Sequence, residues 1–294
     1  MTITGPHSPE VLLARALDRF GTAPDDVGAV ARWLRAAAAD VDLPDTAPGD
    51  RVVLAGNADG PGLYLAHFVG ELATDVHGHG TWGGGLLLDG TDRYERWRPV
   101  GPGTARLAEV RALGPGDVLA FGPPPHDVHR QRADSGGARE LLLLGSDPRS
   151  RDRVTFEPDP ADPAAAVVDH IDRADLHGLL AHYAPGAVVA ADVPQWRLRV
   201  TGRAAIAQAL ASEFDVPGRR LAWLRRTDTA DGVLVETEVR FAADGGEGLW
   251  RDAHVLTLDG STITAHSVWC TGHWDPATVA RYAAQAPDTP VGAP

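Results

Sequence analysis

Apolar positions in the first 40 residues recur at helical spacing. SPEVLLARALDRF at 8–20 begins with Ser8 as N-cap, Pro9 at the first helical position and Glu10 in the first turn, and Gly21 supplies the stop. A second stretch at about 24–40 sets Val27, Val30, Ala31, Leu34 and Ala38 on one face, as an amphipathic helix would. After LPDTAPGD the helical period is lost. From 51 to 145 short apolar runs alternate with turns: RVVLAG, LYLAHFVG, GGLLLDG, LAEVRALGPGD, DVLAFGPPP and ELLLLGSD. Many short strands at such spacing predict a small antiparallel barrel or sandwich.

The pattern changes again at DPRSRDRVTFEPDPADP, 147–163, which is charged and proline-rich and reads as a linker over 148–163. Asp162 and Pro163 then open a helix, AAAVVDHIDR, and DLHGLLAHY gives another. Four strand-like runs follow, around 187–193, 220–227, 232–242 and 249–270, with a helix at 203–213 between the first two. Helices followed by a long antiparallel meander predict an α+β domain. A short helix is expected at 275–284, and the tail at 286–294 reads as disordered. The expected organisation is two domains: an all-β barrel with helical lead-in at 1–147 and an α+β domain at 164–285.

Composition narrows the chemistry. A chain of 294 residues with 44% hydrophobic content can bury a substantial core. A net charge of −13 argues against nucleic acid or an anionic membrane as partner. All 27 basic residues are arginine, so a Schiff-base lysine and a Walker-type phosphate loop are both excluded. Cys270 is the single cysteine, which removes intramolecular disulfides and cysteine-based zinc sites. MTITGPHSPEV lacks a basic region followed by an apolar run, and no stretch approaches the roughly 20 apolar residues that span a bilayer. A soluble cytoplasmic protein is expected.

The stretch VHGHGTWGGG at 76–85 carries two histidines one residue apart and then three glycines, neither of which helps a strand to pack. In a strand, residues i and i+2 share a face, so His77 and His79 would project side by side. Two imidazoles there can meet on one metal ion, with a third ligand from PPPHDVHRQR, where His126 and His129 compete. Neutral imidazole suits Fe, Ni, Cu or Zn, and three protein ligands leave positions open for catalysis. Gly83, Gly84 and Gly85 are expected to leave room beside the metal, with Trp82 as a wall. The plainer alternative is that HGHG is a loop and the glycines a bulge.

HGHGTWGGGLLLDG, with DRYERW at 92–97 and RALGPGDVLAFGPPPHDVH downstream, resembles the cupin superfamily, and within it the cysteine dioxygenase-like thiol dioxygenases. The likeness covers about residues 51–147. It implies a cupin barrel with a three-histidine site of His77, His79 and His129, typically holding Fe(II), although another divalent metal is compatible. His129 matches the D-V-H ligand pattern, which makes His126 a pocket residue or one that supports the ligands. Gly83 falls where many cupins keep a glutamate ligand. Two departures stand out: Glu140, Leu142 and Leu144 occupy the places of a Ser-His-Tyr trio, and Ala55-Gly56 the place of a carboxylate-binding arginine. A substrate other than cysteine, and less polar, is the expectation.

HYAPGAVVAADVPQWRLRVTGRAAIAQAL and ITAHSVWCTGHWDP give residues 164–285 a likeness to the SnoaL-like, nuclear-transport-factor-two-like α+β cones, which enclose an apolar pocket. Arg251, His254 and His266 are candidate pocket residues, with Asp192 or Asp252 as acid–base partner. Trp196, Trp223, Trp250, Trp269 and Trp274 are expected in the core or at a homodimer contact, since such cones pair through their sheets. Cys270 reads as inert packing. The expected function is a mononuclear non-haem Fe(II) enzyme that oxidises a small organic substrate with dioxygen, the cone binding or processing substrate or product. Two alternatives are a non-oxidative Zn, Ni or Mn cupin enzyme and a ligand-binding module with a vestigial cupin.

Overall fold

The computed structural model describes all residues except 1–6, 21–23, 25, 57–59, 148–152, 214–215, 217 and 286–294. The helix stop at Gly21, the expected tail at 286–294 and part of the expected linker lie outside the described residues. The chain divides into two units, residues 1–105 with 112–158, and residues 106–111 with 159–294. Among the described residues no helix is long and apolar enough to cross a membrane.

The first unit begins with α1 (Pro9–Phe20) and α2 (Val27–Ala38). The N–H groups of Val11 and Leu12 donate to Ser8 O, so the cap forms where the sequence places it. Strands β1 (Arg51–Gly56), β2 (Gly62–Phe68), β3 (Val76–Gly78), β4 (Gly83–Gly101), β5 (Thr104–Leu113), β6 (Val118–Phe121), β7 (His129–Leu144) and β8 (Val154–Pro158) follow, and apart from residues 106–111 of β5, which belong to the second unit, they build a β-barrel. Its spine is β7, antiparallel to β2, β3 and β4. The run ELLLL in β7 is apolar on both faces because both are covered. Leu141 and Leu143 pack against Leu12, Phe20, Val30 and Leu34 of the helices, while Leu142 and Leu144 join Tyr64, Tyr94 and Phe121 inside.

The expected linker needs correction. Residues Val154–Pro158 form β8, which pairs with β3 through Val76↔Phe156, His77↔Thr155 and Gly78↔Val154. VTFEP has the β-branched and aromatic content of a strand, obscured in the sequence by flanking charge and proline. The second unit resumes at Asp159.

That unit contains α3 (Pro163–Arg173), α4 (Leu176–Ala181), β9 (Tyr183–Val193), β10 (Trp196–Thr201), α5 (Arg203–Glu213), β11 (Arg220–Thr229), β12 (Gly232–Ala243), β13 (Gly246–Asp259), β14 (Thr262–Cys270) and α6 (Pro276–Gln285). Asp162 and Asp175 cap α3 and α4 by accepting from the N–H of Ala164 and Gly178. The sheet runs β11-β12-β13-β14-β9-β10, antiparallel throughout except that β14 lies parallel to β9. Two differences from expectation have local causes. The run 249–270 is two strands, because Gly260-Ser261 makes the turn between the paired Asp259 and Thr262, with Gly260 at φ 61°. Trp196–Thr201 adds a strand beside β9. Of the tryptophans, Trp250 is buried, whereas Trp196 and Trp269 are exposed at 70% and 49%.

Candidate functional site

In the barrel, His77 and His129 face each other across β3 and β7 as a registered pair, and His79 lies one residue past the end of β3. Their ring centroids stand 4.9 Å (His77–His79), 4.7 Å (His77–His129) and 4.9 Å (His79–His129) apart. One nitrogen from each lies within 4.8 Å of the others, and all three residues are buried. Nδ1 of His77 bonds the carbonyl of Asp75 at 2.8 Å, and Nδ1 of His129 that of Asp127 at 2.9 Å. A carbonyl only accepts, so each Nδ1 carries the proton and each Nε2 keeps a lone pair. Burial drives all three basicities down, His77 to about 4, His129 to about 3 and His79 to about 2, so all are neutral. Neutral imidazoles with tied Nδ1–H groups are the donor set a transition metal takes.

The surroundings support these rings. Asp127 orients His129 through its carbonyl, and its carboxylate accepts the N–H of Gly80 at 2.7 Å, which fixes the bend after His79. Phe121 stacks on His79 at 5.7 Å and Tyr94 packs on His129 at 5.4 Å. Farther along the same face of β7, the Gln131 amide donates to Asp92 at 3.0 Å and to Glu140 at 2.9 Å. Burial, then the neighbouring carboxyl, holds Glu140 well above the ordinary carboxylate range, and burial raises Asp92 too. A further contact enters from the residue just before β8: Arg153 Nη2 donates to His77 Nε2 at 2.9 Å.

Three expectations about this site are corrected. His126 is exposed and lies outside the cluster, which brings together His77, His79 and His129. Trp82 is not a wall of the site, since it belongs to the cluster beneath α1 and α2. The glycines leave no open room. Gly83 sits on β4, and a Cβ there would come within 2.6 Å of Leu144 Cδ2 and Phe121 Cζ; at Gly85 it would meet Leu142 at 2.9 Å. They are small because neighbouring strands fill the space. Gly83→Ala is therefore expected to destabilise the fold by about 1–3 kcal/mol through overpacking, measured as a lowered urea midpoint. An unchanged midpoint would mean that Phe121 yields freely.

In the second unit a cavity is lined by Val167, Ile171, Val189, Leu210, Val268 and other apolar groups, with His170, Asp252, His254 and His266 among them. Asp252, His254 and Leu256 alternate inward along β13. His266 on β14 lies opposite Leu256, diagonal to His254. His254 Nδ1 and His266 Nε2 are 3.1 Å apart, and His266 Nδ1 meets the Tyr183 hydroxyl at 2.5 Å. Asp252 Oδ2 accepts from Trp250 Nε1 at 2.7 Å and stands 3.8 Å from His254 Nε2. Burial lowers the basicity of His254 and His266 and takes His170 to about 4.

Sequence reasoning placed His254 and His266 in this cavity, and Asp252 as one of two acids. Arg251 and Asp192 are corrected. Arg251 points to the other face, where Glu238 accepts from it at 2.7 Å and 2.9 Å, because an odd separation from His254 reverses the side chain. Asp192 likewise alternates with the inward Ala191 and pairs with Arg197 on the surface. Cys270, expected as inert packing, lines the cavity. Tyr183 and His170 were missed. His170 stands three residues after Val167 on α3, a spacing that does put both on one face.

A model of the SnoaL-like domain matches residues 164–266. The second unit carries a SnoaL-like domain. No curated protein matches the chain. Among solved structures, a putative ketosteroid isomerase from Kribbella flavida DSM 17836 is 15% identical with a TM-score of 0.31, covering 40% of this chain and 82% of that one. A cupin superfamily protein from Desulfitobacterium hafniense DCB-2 is 18% identical with a TM-score of 0.27, over 35% of this chain and 84% of that one. The DMSP lyase DddQ from Ruegeria pomeroyi DSS-3 is 21% identical with a TM-score of 0.28, over 36% of this chain and 50% of that one. Likenesses of this strength carry no function across.

Proposed function

We propose that the first unit is a cupin-type mononuclear metal enzyme, in which His77, His79 and His129 hold a divalent transition ion and a small organic substrate is oxidised with dioxygen. The observation behind this reading is the convergence of three buried, neutral imidazoles, two of them with Nδ1 committed to main-chain carbonyls. Fe(II) is the ion proposed, from the likeness of HGHGTWGGG and DVH to thiol dioxygenases. When bound, such an ion supplies Lewis acidity and a centre at which dioxygen can react. The chain's own part is to present three uncharged donors, so that an anionic substrate atom is attracted to the undiminished charge. Phe121 and Tyr94 keep water from the rings. Leu142 and Leu144, turned inward, favour a substrate less polar than an amino acid.

Arg153 competes with the metal for His77 Nε2, since one lone pair cannot serve both. Arg153→Met is expected to tighten Co(II) binding about tenfold, the equivalent of one lost hydrogen bond, measured by titration against a chelator. An unchanged affinity would mean that the guanidinium swings aside at no cost.

A second reading keeps the metal and drops dioxygen. Glu140 favours it: a buried carboxyl held protonated is a proton source of the kind lyases and hydrolases use. Metal analysis of protein purified without chelator, followed by oxygen-uptake assays with thiols and enolisable compounds, separates the two. Near-stoichiometric iron with substrate-dependent oxygen consumption supports the first. Zinc, nickel or manganese without oxygen consumption supports the second, and failure to bind any divalent ion after anaerobic reconstitution overturns both.

A further inference from the structure

Arg153 spends its charge poorly in the structure as it stands. Among the described residues its guanidinium makes one hydrogen bond, from Nη2 to His77 Nε2 at 2.9 Å, and no carboxylate lies within ion-pair distance of it. The acceptor is a neutral ring, and the carboxylate that acts on the guanidinium, Asp75, is exposed and acts from farther off. A planar fork of five N–H donors suits a carboxylate better than one ring nitrogen.

The register of β8 fixes where that side chain can go. Thr155 pairs with His77 and Val154 with Gly78, so Arg153 comes opposite His79, on the face that carries the histidines. As a residue Arg153 is exposed, yet its guanidinium reaches a ring that is 1% exposed. It therefore stands at the rim of the cluster and reaches inward. Arg51 is a second cation that acts on all three rings. The inward carboxyls do not offset this charge: Gln131 holds both Asp92 and Glu140, and Glu140 keeps its proton at neutral pH.

His77 cannot give one lone pair both to Arg153 and to a metal ion, so loading the site releases the guanidinium. β8 keeps its backbone beside the cluster, where it faces a dication held by three uncharged rings. Two cations so placed repel, and an anion between them removes the repulsion. A single guanidinium at the rim calls for a single charge, and the two oxygens of a carboxylate match its paired N–H groups. We propose that Arg153 couples metal uptake to anion binding: on leaving His77, its guanidinium becomes the seat of a small carboxylate at the rim of the histidine cluster. This coupling rests on the metal site of the proposed function and needs none of its dioxygen chemistry. It is reciprocal, since the carboxylate tightens the metal by the factor by which the metal tightens the carboxylate.

Co(II) should be titrated into the full chain against a competing chelator, in propionate, in propionamide and in perchlorate of the same ionic strength. Propionate is expected to tighten Co(II) about tenfold, by replacing the hydrogen bond that Arg153 gives up. Propionamide and perchlorate should leave the affinity unchanged. Arg153→Met should bind Co(II) tightly without propionate and show no propionate effect. If that variant fails to fold, nitrogen-15 NMR of the Zn(II)-loaded wild type serves, where propionate should shift the Arg153 Nε–H resonance. The coupling is overturned if propionate tightens Co(II) equally in Arg153→Met, which would mean coordination to the ion alone. It is equally overturned if propionamide acts as propionate does, if propionate leaves wild-type affinity unchanged, or if the Arg153 resonance does not move. A chain that takes up no Co(II) under any of these conditions would overturn the metal site itself, and the coupling with it.

Discussion

Replacing His77 and His79 together by alanine is expected to abolish metal binding by the barrel while leaving its fold intact. Loss of a residue that merely supports a ligand costs about 10–100-fold in affinity, so removing two ligands should cost on the order of a thousandfold or more. Wild-type protein reconstituted anaerobically with Fe(II) should retain near-stoichiometric iron through desalting, and the double variant none. His126→Ala is the informative control. That ring is exposed and outside the cluster, so the variant should keep its metal. Circular dichroism of the double variant should match wild type, because neither histidine belongs to the clusters that hold α1 and α2 or fill the barrel with Leu142 and Leu144. Retention of iron by the double variant would remove the basis of the proposed metalloenzyme. Loss of metal in His126→Ala would return the third ligand to the question the sequence leaves open.

The parts of the site that sequence made legible are those governed by short-range periodicity. The i, i+2 rule brought His77 and His79 together, and a registered partner on β7 supplied His129. The same rule, applied more strictly, would have excluded Arg251 once His254 was accepted, because three residues along a strand reverse the face. It would also have preferred Asp252 to Asp192. The glycine triplet was misread for a different reason. Gly80, at φ 69°, turns the chain after His79, so Gly83 begins a new strand rather than extending the ligand strand. Its smallness answers to Leu144 and Phe121, residues far away in sequence. Tyr183 and Arg153 were not legible at all. Tyr183 meets His266 only because β9 runs parallel to β14, and Arg153 reaches His77 only because an apparent linker is a strand. Such contacts depend on pairings between distant segments that local pattern does not specify.

Replacing Arg226 by leucine is expected to be the most destabilising single change in the SnoaL-like unit. Its guanidinium meets Asp162 at 2.6 Å, with the two side chains only 5% and 1% exposed. Asp162 also caps α3 by accepting from Ala164 at 3.2 Å, so it has to remain in place. Without Arg226 the buried carboxylate keeps only the Ala164 N–H and the weaker pull of Arg106, at a cost of about 3–5 kcal/mol. The pH dependence identifies the cause. Burial already holds the Asp162 pKa above its ordinary value against the pull of Arg226, and removing that pull raises it further. A carboxyl with a raised folded-state pKa destabilises the protein above its unfolded pKa, and the penalty fades as pH falls and the group protonates in the folded state. The loss in urea midpoint should therefore be large at pH 7 and smaller toward pH 5. A deficit equal at both would point instead to lost packing of the arginine stem. Asp162→Asn combined with Arg226→Leu should recover much of the loss at pH 7, because the amide can still cap α3 but carries no charge.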